Sequence, residues 1–205
     1  MTCPTIKQAL DLFDDGLVKM REEQPRFAFY FEKSYRSHCC LVACCAEMIA
    51  SRLQYLDVQK AYILGLLHDY GKMVCDADSK EYFHGLTGYN AMNELGFDEV
   101  AKVCLTHTFP DKEFKYTEYS YPEMRKTKNI LSTIEYDDYD RLIQLCDLLV
   151  TGMGFGTIKE RMAYVKDKYR LSTMLIKKRY RQALRLKNYF DKRCGCDVYR
   201  LLGVN

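Results

Sequence analysis

The chain has 205 residues, 48% of them hydrophobic and 29% charged, a balance that suits an ordinary globular domain with a sizeable core. It excludes a disordered chain, and a formal net charge of only +3 excludes a protein built chiefly to hold polyanions. The longest apolar run, Ala61 to Leu67, is far too short to span a bilayer, so no membrane partner is expected. The acidic start around Asp11, Asp14 and Asp15 has neither the basic nor the apolar region of a signal peptide, and the location read from it is cytoplasmic.

Apolar residues recur at intervals of three and four nearly throughout, which predicts helices. A first helix follows Pro4 and carries Ile6, Ala9, Leu10, Phe13 and Leu17, with Gly16 and Pro25 punctuating its end. The next is expected to begin near Ser34 or Ser37 and to bury Leu41, Val42, Cys45, Met48 and Ile49. A third runs from Asp57, an N-cap type, to Leu67. Two short helices, Thr87 to Leu95 and Asp98 to His107, flank Gly96, a helix-ending residue. Residues 108–135 contain Pro110 and Pro122 and mix lysines with Tyr116, Tyr119 and Tyr121, which predicts a long structured loop. A helix from Asp138 to Val150, a turn through Gly152, Gly154 and Gly156, and helices near 157–169 and 172–191 complete the chain. No linker-like segment interrupts it, so one all-α domain over 1–205 is expected.

The ten cysteines, Cys39, Cys40, Cys44 and Cys45 among them, lie in apolar helical stretches without zinc-pair spacing and read as reduced core thiols. Charge is unevenly spread. Residues 1–158 hold 24 acids against 17 Lys and Arg, whereas 159–193 hold 13 Lys and Arg against three acids. A basic helical extension over 157–202 follows, whose Lys177, Lys178, Arg179, Arg181 and Arg185 read as a solvated face. No RNA-binding motif accompanies it, and a nucleic-acid partner is not expected. The glycine turn lacks the strand, Lys and Ser or Thr of a phosphate loop.

Only four histidines occur, and each falls at a helix end or beside a dense apolar stretch. His68 and Asp69 are adjacent in Leu66-Leu67-His68-Asp69-Tyr70-Gly71-Lys72, with Gly71 expected to permit a change of direction. His38 lies upstream, and Asp147 sits downstream in a helix of apolar neighbours. A lone buried carboxylate is costly and is usually paired or bound to metal. Two histidines with two carboxylates make an N/O site suited to iron or manganese, and less tightly to magnesium.

The extended motif of two apolar residues, His68-Asp69, one residue and Gly71-Lys72, with His38 before it and Asp147 after it, resembles the HD-domain metal-dependent phosphohydrolases over roughly residues 34–152. The resemblance implies a single all-helical HD-domain bundle, to which this sequence adds its long tyrosine-rich loop and additional C-terminal helices. His84 and His107 follow the doublet with 15 residues between His68 and His84, 22 between His84 and His107, and 39 between His107 and Asp147. That order is similar to the dinuclear branch, which includes bacterial symmetrical diadenosine tetraphosphate hydrolases, cyclic dinucleotide phosphodiesterases and di-iron oxygenases typified by myo-inositol oxygenase. It implies that His38, His68, Asp69 and Asp147 hold one divalent ion, and that Asp69 bridges to a second held by His84 and His107. If His84 and His107 are structural instead, the resemblance implies a mononuclear site like that of the nucleotide monophosphatase branch.

By this resemblance the protein is expected to be a hydrolase acting on a small anionic substrate, a phosphorylated metabolite of nucleotide class, by in-line attack of metal-bound hydroxide. Asp69 and Lys72 are the expected catalytic residues, Lys72 as a flexible point charge for a phosphate oxygen. Lys72, Tyr116 and Arg161 are the expected substrate contacts. The loop is a candidate lid, with Lys112, Lys115, Lys126 and Lys128 beside its tyrosines, although this stretch and the basic tail are longer than in the diadenosine tetraphosphate hydrolases. The alternatives carried forward are a di-iron oxygenase acting on a small polyol or phosphonate, and a ligand sensor or scaffold with a residual metal site. Monomer and homodimer are both left open.

Overall fold

The computed structural model describes residues 2–75, 83–110, 112, 121–152 and 154–204, with the backbone alone at 121–123. Helix α1 spans Ile6–Glu23, capped by Thr5, whose side chain accepts from the Gln8 N–H while the Gln8 side chain returns to the Thr5 N–H. Its buried stripe is Ala9, Phe13, Gly16, Leu17 and Met20, so Leu10 falls off the stripe and is exposed. Gly16 does not end the helix. It lies inside it, facing Met73, where a Cβ would stand 2.9 Å from the methionine sulfur.

Helix α2 runs Pro25–Ala50 and begins about ten residues before Ser34, correcting the expected start. Pro25 is responsible, because at the first helical position its missing N–H leaves nothing unsatisfied and its fixed φ suits the helix. Gln24 is both the C-cap of α1 and the N-cap of α2, and its buried amide donates to the Cys75 carbonyl at 2.5 Å. Helix α3 is Val58–Leu67 with Asp57 accepting from the Lys60 N–H, as the sequence predicts. It crosses α2 closely: a Cβ on Gly65 would stand 2.7 Å from the Ala43 Cα.

The short α4 (Gly71–Val74) leads toward α5 (His84–Glu94), which ends before Gly96 at a φ of +80°, and α6 covers Asp98–Thr106. Within the expected loop lies α7, Tyr121–Thr133, which corrects that reading. Pro122 sits in its first turn, where proline is tolerated, and Thr127 and Leu131 bury at helical spacing. Helix α8 is Asp138–Leu149, opened by an Asp137–Asp140 capping box. Strands Val150–Thr151 and Gly154–Phe155 pair antiparallel as a small hairpin, and α9 (Ile158–Tyr169), α10 (Thr173–Cys194) and α11 (Val198–Leu201) follow.

Among the described residues the structure is therefore all-α apart from that hairpin. The main core gathers α1, α2, α3, α6 and α8 and extends to Ala183, Phe190 and Val198 of the C-terminal helices. A second cluster, Phe83, Leu86, Leu105, Phe109 and Leu131, fastens α7 to α5 and α6. Six of the ten cysteines are buried free thiols, and Cys44 is instead exposed. No helix among the described residues is long and apolar enough to cross a membrane.

Candidate metal centre

The six residues singled out by the sequence come from five different places in the chain and meet at one point. His68 is the C-cap of α3 and His107 the C-cap of α6, so two helix C-termini, the partially negative ends, face the centre. His84 opens α5, Asp69 lies between α3 and α4, His38 is in α2 and Asp147 in the last turn of α8. The approach of α4 to α5 depends on Gly71. The chain does change direction between α3 and α4, but the φ of Gly71 is not positive, so no left-handed backbone is needed there. What matters is its missing Cβ, which would stand 1.9 Å from the His84 carbonyl oxygen.

Asp69 is central and 2% exposed. Its Oδ1 is 3.3 Å from the Nε2 atoms of both His84 and His107, which are themselves 3.4 Å apart. Its Oδ2 faces the other way, 3.6 Å from His68 Nε2 and 3.9 Å from His38 Nε2. His38 Nε2 is in turn 3.1 Å from Asp147 Oδ1. Bonds of about 2.1 Å set two ligand atoms of one ion about 3.0 Å apart at a right angle and about 3.4 Å apart in a tetrahedron, so these separations suit a shared cation.

The surroundings fix which atoms face inward. His68 Nδ1 is 2.7 Å from the Gly65 carbonyl and His107 Nδ1 is 3.1 Å from the Val103 carbonyl, so each ring uses one nitrogen on the backbone and presents Nε2. The Tyr35 hydroxyl donates to the Asp69 carbonyl at 2.9 Å, a support the sequence reading missed because Tyr35 reads as one more apolar residue of α2. His68 Nε2 and Asp69 Oδ1 are buried with no hydrogen-bond partner among the described residues. Two orphaned buried polar atoms within one cluster of metal-ligating side chains fit bound metal as the missing partner.

Protonation agrees. Burial, against the pull of the Asp69 carboxylate, lowers the His68 imidazole to about 4, which leaves it neutral near pH 7. Burial alone would raise the Asp69 carboxyl, but Lys72, His68, His107 and His84 hold it well below the usual carboxylate range. Asp147 behaves likewise, with burial opposed by Arg161, His38 and His68. Neutral imidazoles beside charged carboxylates are the forms a divalent ion binds.

The expected substrate contacts fare differently. Lys72 Nζ is paired with Asp69 Oδ2, its side chain still 31% exposed. Arg161 reaches the centre from α9 and donates to Asp147 Oδ1 at 3.3 Å, while its buried Nε has no partner among the described residues. Tyr116 and Lys115 lie outside the described residues. Lys112 is engaged, donating to the Ile134 carbonyl at 2.5 Å, whereas Lys126 and Lys128 are exposed.

The donor atoms of His38, His68 and Asp147 lie within 4.8 Å of one another, as do those of His68, Asp69 and His107. Residues 35–152, more than half of the chain, match the HD-domain family profile. The chain belongs to the HD-domain family. No curated protein and no solved structure matches it. HD domains bind divalent metals and are in general metal-dependent phosphohydrolases, and this HD domain carries His/Asp clusters able to hold metal. Arg161 and the basic helices α9 and α10 lie beyond the matched residues, so the contact to Asp147 comes from outside the matched segment.

Proposed function

We propose that the protein is a metal-dependent phosphohydrolase with a two-metal site, acting on a small phosphorylated metabolite of nucleotide class. The observation that carries this reading is the two-sidedness of Asp69, with Oδ1 toward His84 and His107 and Oδ2 toward His68 and His38. One carboxylate between two nitrogen pairs is the arrangement a bridging ligand needs. Iron and manganese suit the mixed imidazole and carboxylate donors, and magnesium suits them less.

A metal pair held there supplies an activated water and neutralises phosphoryl oxygens. The chain does the rest. Imidazole ligands add no negative charge, and of the six candidate ligands only Asp69 and Asp147 do, so a centre loaded with two divalent ions is net positive and draws an anion. Lys72 and Arg161 pair with Asp69 and Asp147 through side chains that are themselves partly exposed, so a phosphate oxygen can exchange for part of each ion pair. The resemblance of the histidine order to dinuclear phosphohydrolases supports the nucleotide class.

The test is metal content of chain purified without chelator, followed by phosphate release from a panel of nucleotides with the fully loaded protein. Near two ions per chain and anaerobic turnover support the reading. One ion per chain moves it to a mononuclear nucleotidase, and turnover that requires dioxygen moves it to an oxygenase.

A further inference from the structure

Directly behind the metal centre, α6 and α8 are joined by polar groups where a core of this kind is otherwise apolar. Thr106, the residue before His107, is fully buried, and its hydroxyl donates to Asp140 Oδ1 at 2.6 Å. The other oxygen of Asp140 takes the Lys102 ammonium at 2.8 Å. Gln144, 2% exposed, donates from Nε2 to the Thr106 carbonyl at 2.9 Å. Asp140, Gln144 and Asp147 follow at steps of four and three along α8, so both clamp residues lie on the helix face that carries the metal-centre carboxylate.

Burying a carboxylate for packing alone is poor economy, since apolar side chains of similar volume commonly do as well or better. What hydrogen bonds add is direction. They fix the axial position and rotation of the last turn of α6 against α8, which apolar contacts leave free to slide. We propose that Thr106 and Asp140, with Gln144, are positioning residues whose buried bonds hold the last turn of α6, and with it His107, in place at the centre, and so set the affinity of the half-site that contains His107. This inference rests on the metal-centre reading.

The test is titration of the full chain with Mn(II), followed by calorimetry and by the electron paramagnetic resonance of the bound ion. Thr106→Val removes the hydroxyl at nearly constant volume and is expected to weaken one of two Mn(II) equivalents about tenfold or more, the range for losing a residue that orients a ligand. Thr106→Ser keeps the hydroxyl and is expected to restore wild-type affinity, which a purely volumetric role would not do. Gln144→Leu is expected to lose affinity in the same direction by less, and it decides the matter if Thr106→Val does not fold. His107→Ala is the reference and is expected to abolish that equivalent. Wild-type Mn(II) binding in folded Thr106→Val or, where that variant does not fold, in Gln144→Leu, beside a lost equivalent in His107→Ala, overturns the clamp alone. Wild-type binding in His107→Ala overturns the clamp and the two-metal reading together.

Discussion

A Cβ on Gly71 would lie 1.9 Å from the carbonyl oxygen of His84, so the backbone of one family-motif residue touches that of a candidate ligand. Gly88 completes the contact, with its N–H nitrogen 2.7 Å from the same imagined Cβ. The obstructing atoms are backbone and cannot swing aside, so α5 must move as a whole to admit a methyl group. Gly71→Ala is therefore expected to destabilise the fold by about 1–3 kcal/mol and to displace His84 from Asp69. Thermal melts and metal content check both effects; a variant with wild-type stability and full metal content would contradict them.

Asp69 stands between the two nitrogen pairs, and no other described carboxylate faces both. Asp69→Ala is expected to lose metal and to reduce phosphate release to background. Lys72→Ala is expected to keep the metal, because Lys72 is a partner of Asp69 and not a donor, while slowing turnover about tenfold or more. Metal analysis alongside phosphate release separates the two, and retained metal with full turnover in Asp69→Ala would defeat the site assignment.

The pH dependence of the metal-free chain follows from His68. Its folded value of about 4 lies below the ordinary 6.5 because burial disfavours the imidazolium. Between those values the unfolded chain binds a proton that the folded chain does not, so stability is complete above about 6.5 and falls as the pH drops toward 4. The loss from pH 7 to pH 5 is expected to be on the order of 2 kcal/mol from this group. Denaturant titration of chelator-treated protein at the two pH values measures it, and equal midpoints would exclude the neutral buried imidazole.

Far from the metal centre, Lys187 is buried between Asp191 and Asp197, 2.7 Å from each, with the Tyr199 ring 4.3 Å away. It pins α11 to the end of α10, and the Asp191 side chain also accepts from the Val198 N–H. Lys187→Met is expected to cost about 1–3 kcal/mol, since both carboxylates retain access to water and the lost pairing is only partly desolvated. Metal content is expected to stay at the wild-type level. A fall in metal content without a fall in melting temperature would show the C-terminal helices acting on the centre itself.

What was legible in the sequence was local in origin. Asp57 caps α3 and Gly96 closes α5 because capping and left-handed backbone depend on one or two residues. The order and chemical types of His38, His68, Asp69, His84, His107 and Asp147 were likewise readable, since a metal selects donors by type and the motif holds its core pair in neighbouring positions. The start of α2 at Pro25 and the presence of α7 within 108–135 were not, because proline breaks a helix or begins one according to what the following turns can bury. Gly71 carried a different meaning in the chain than in the fold: the sequence suggested a turn, whereas the reason is the close passage of α5. Which oxygen of Asp69 faces which histidines, the reach of Arg161 from α9 to Asp147, and the Thr106–Asp140 contact were decided only by tertiary structure. Each joins segments far apart in the chain, and the packing angles that bring them together depend on the whole core and not on any short stretch of sequence.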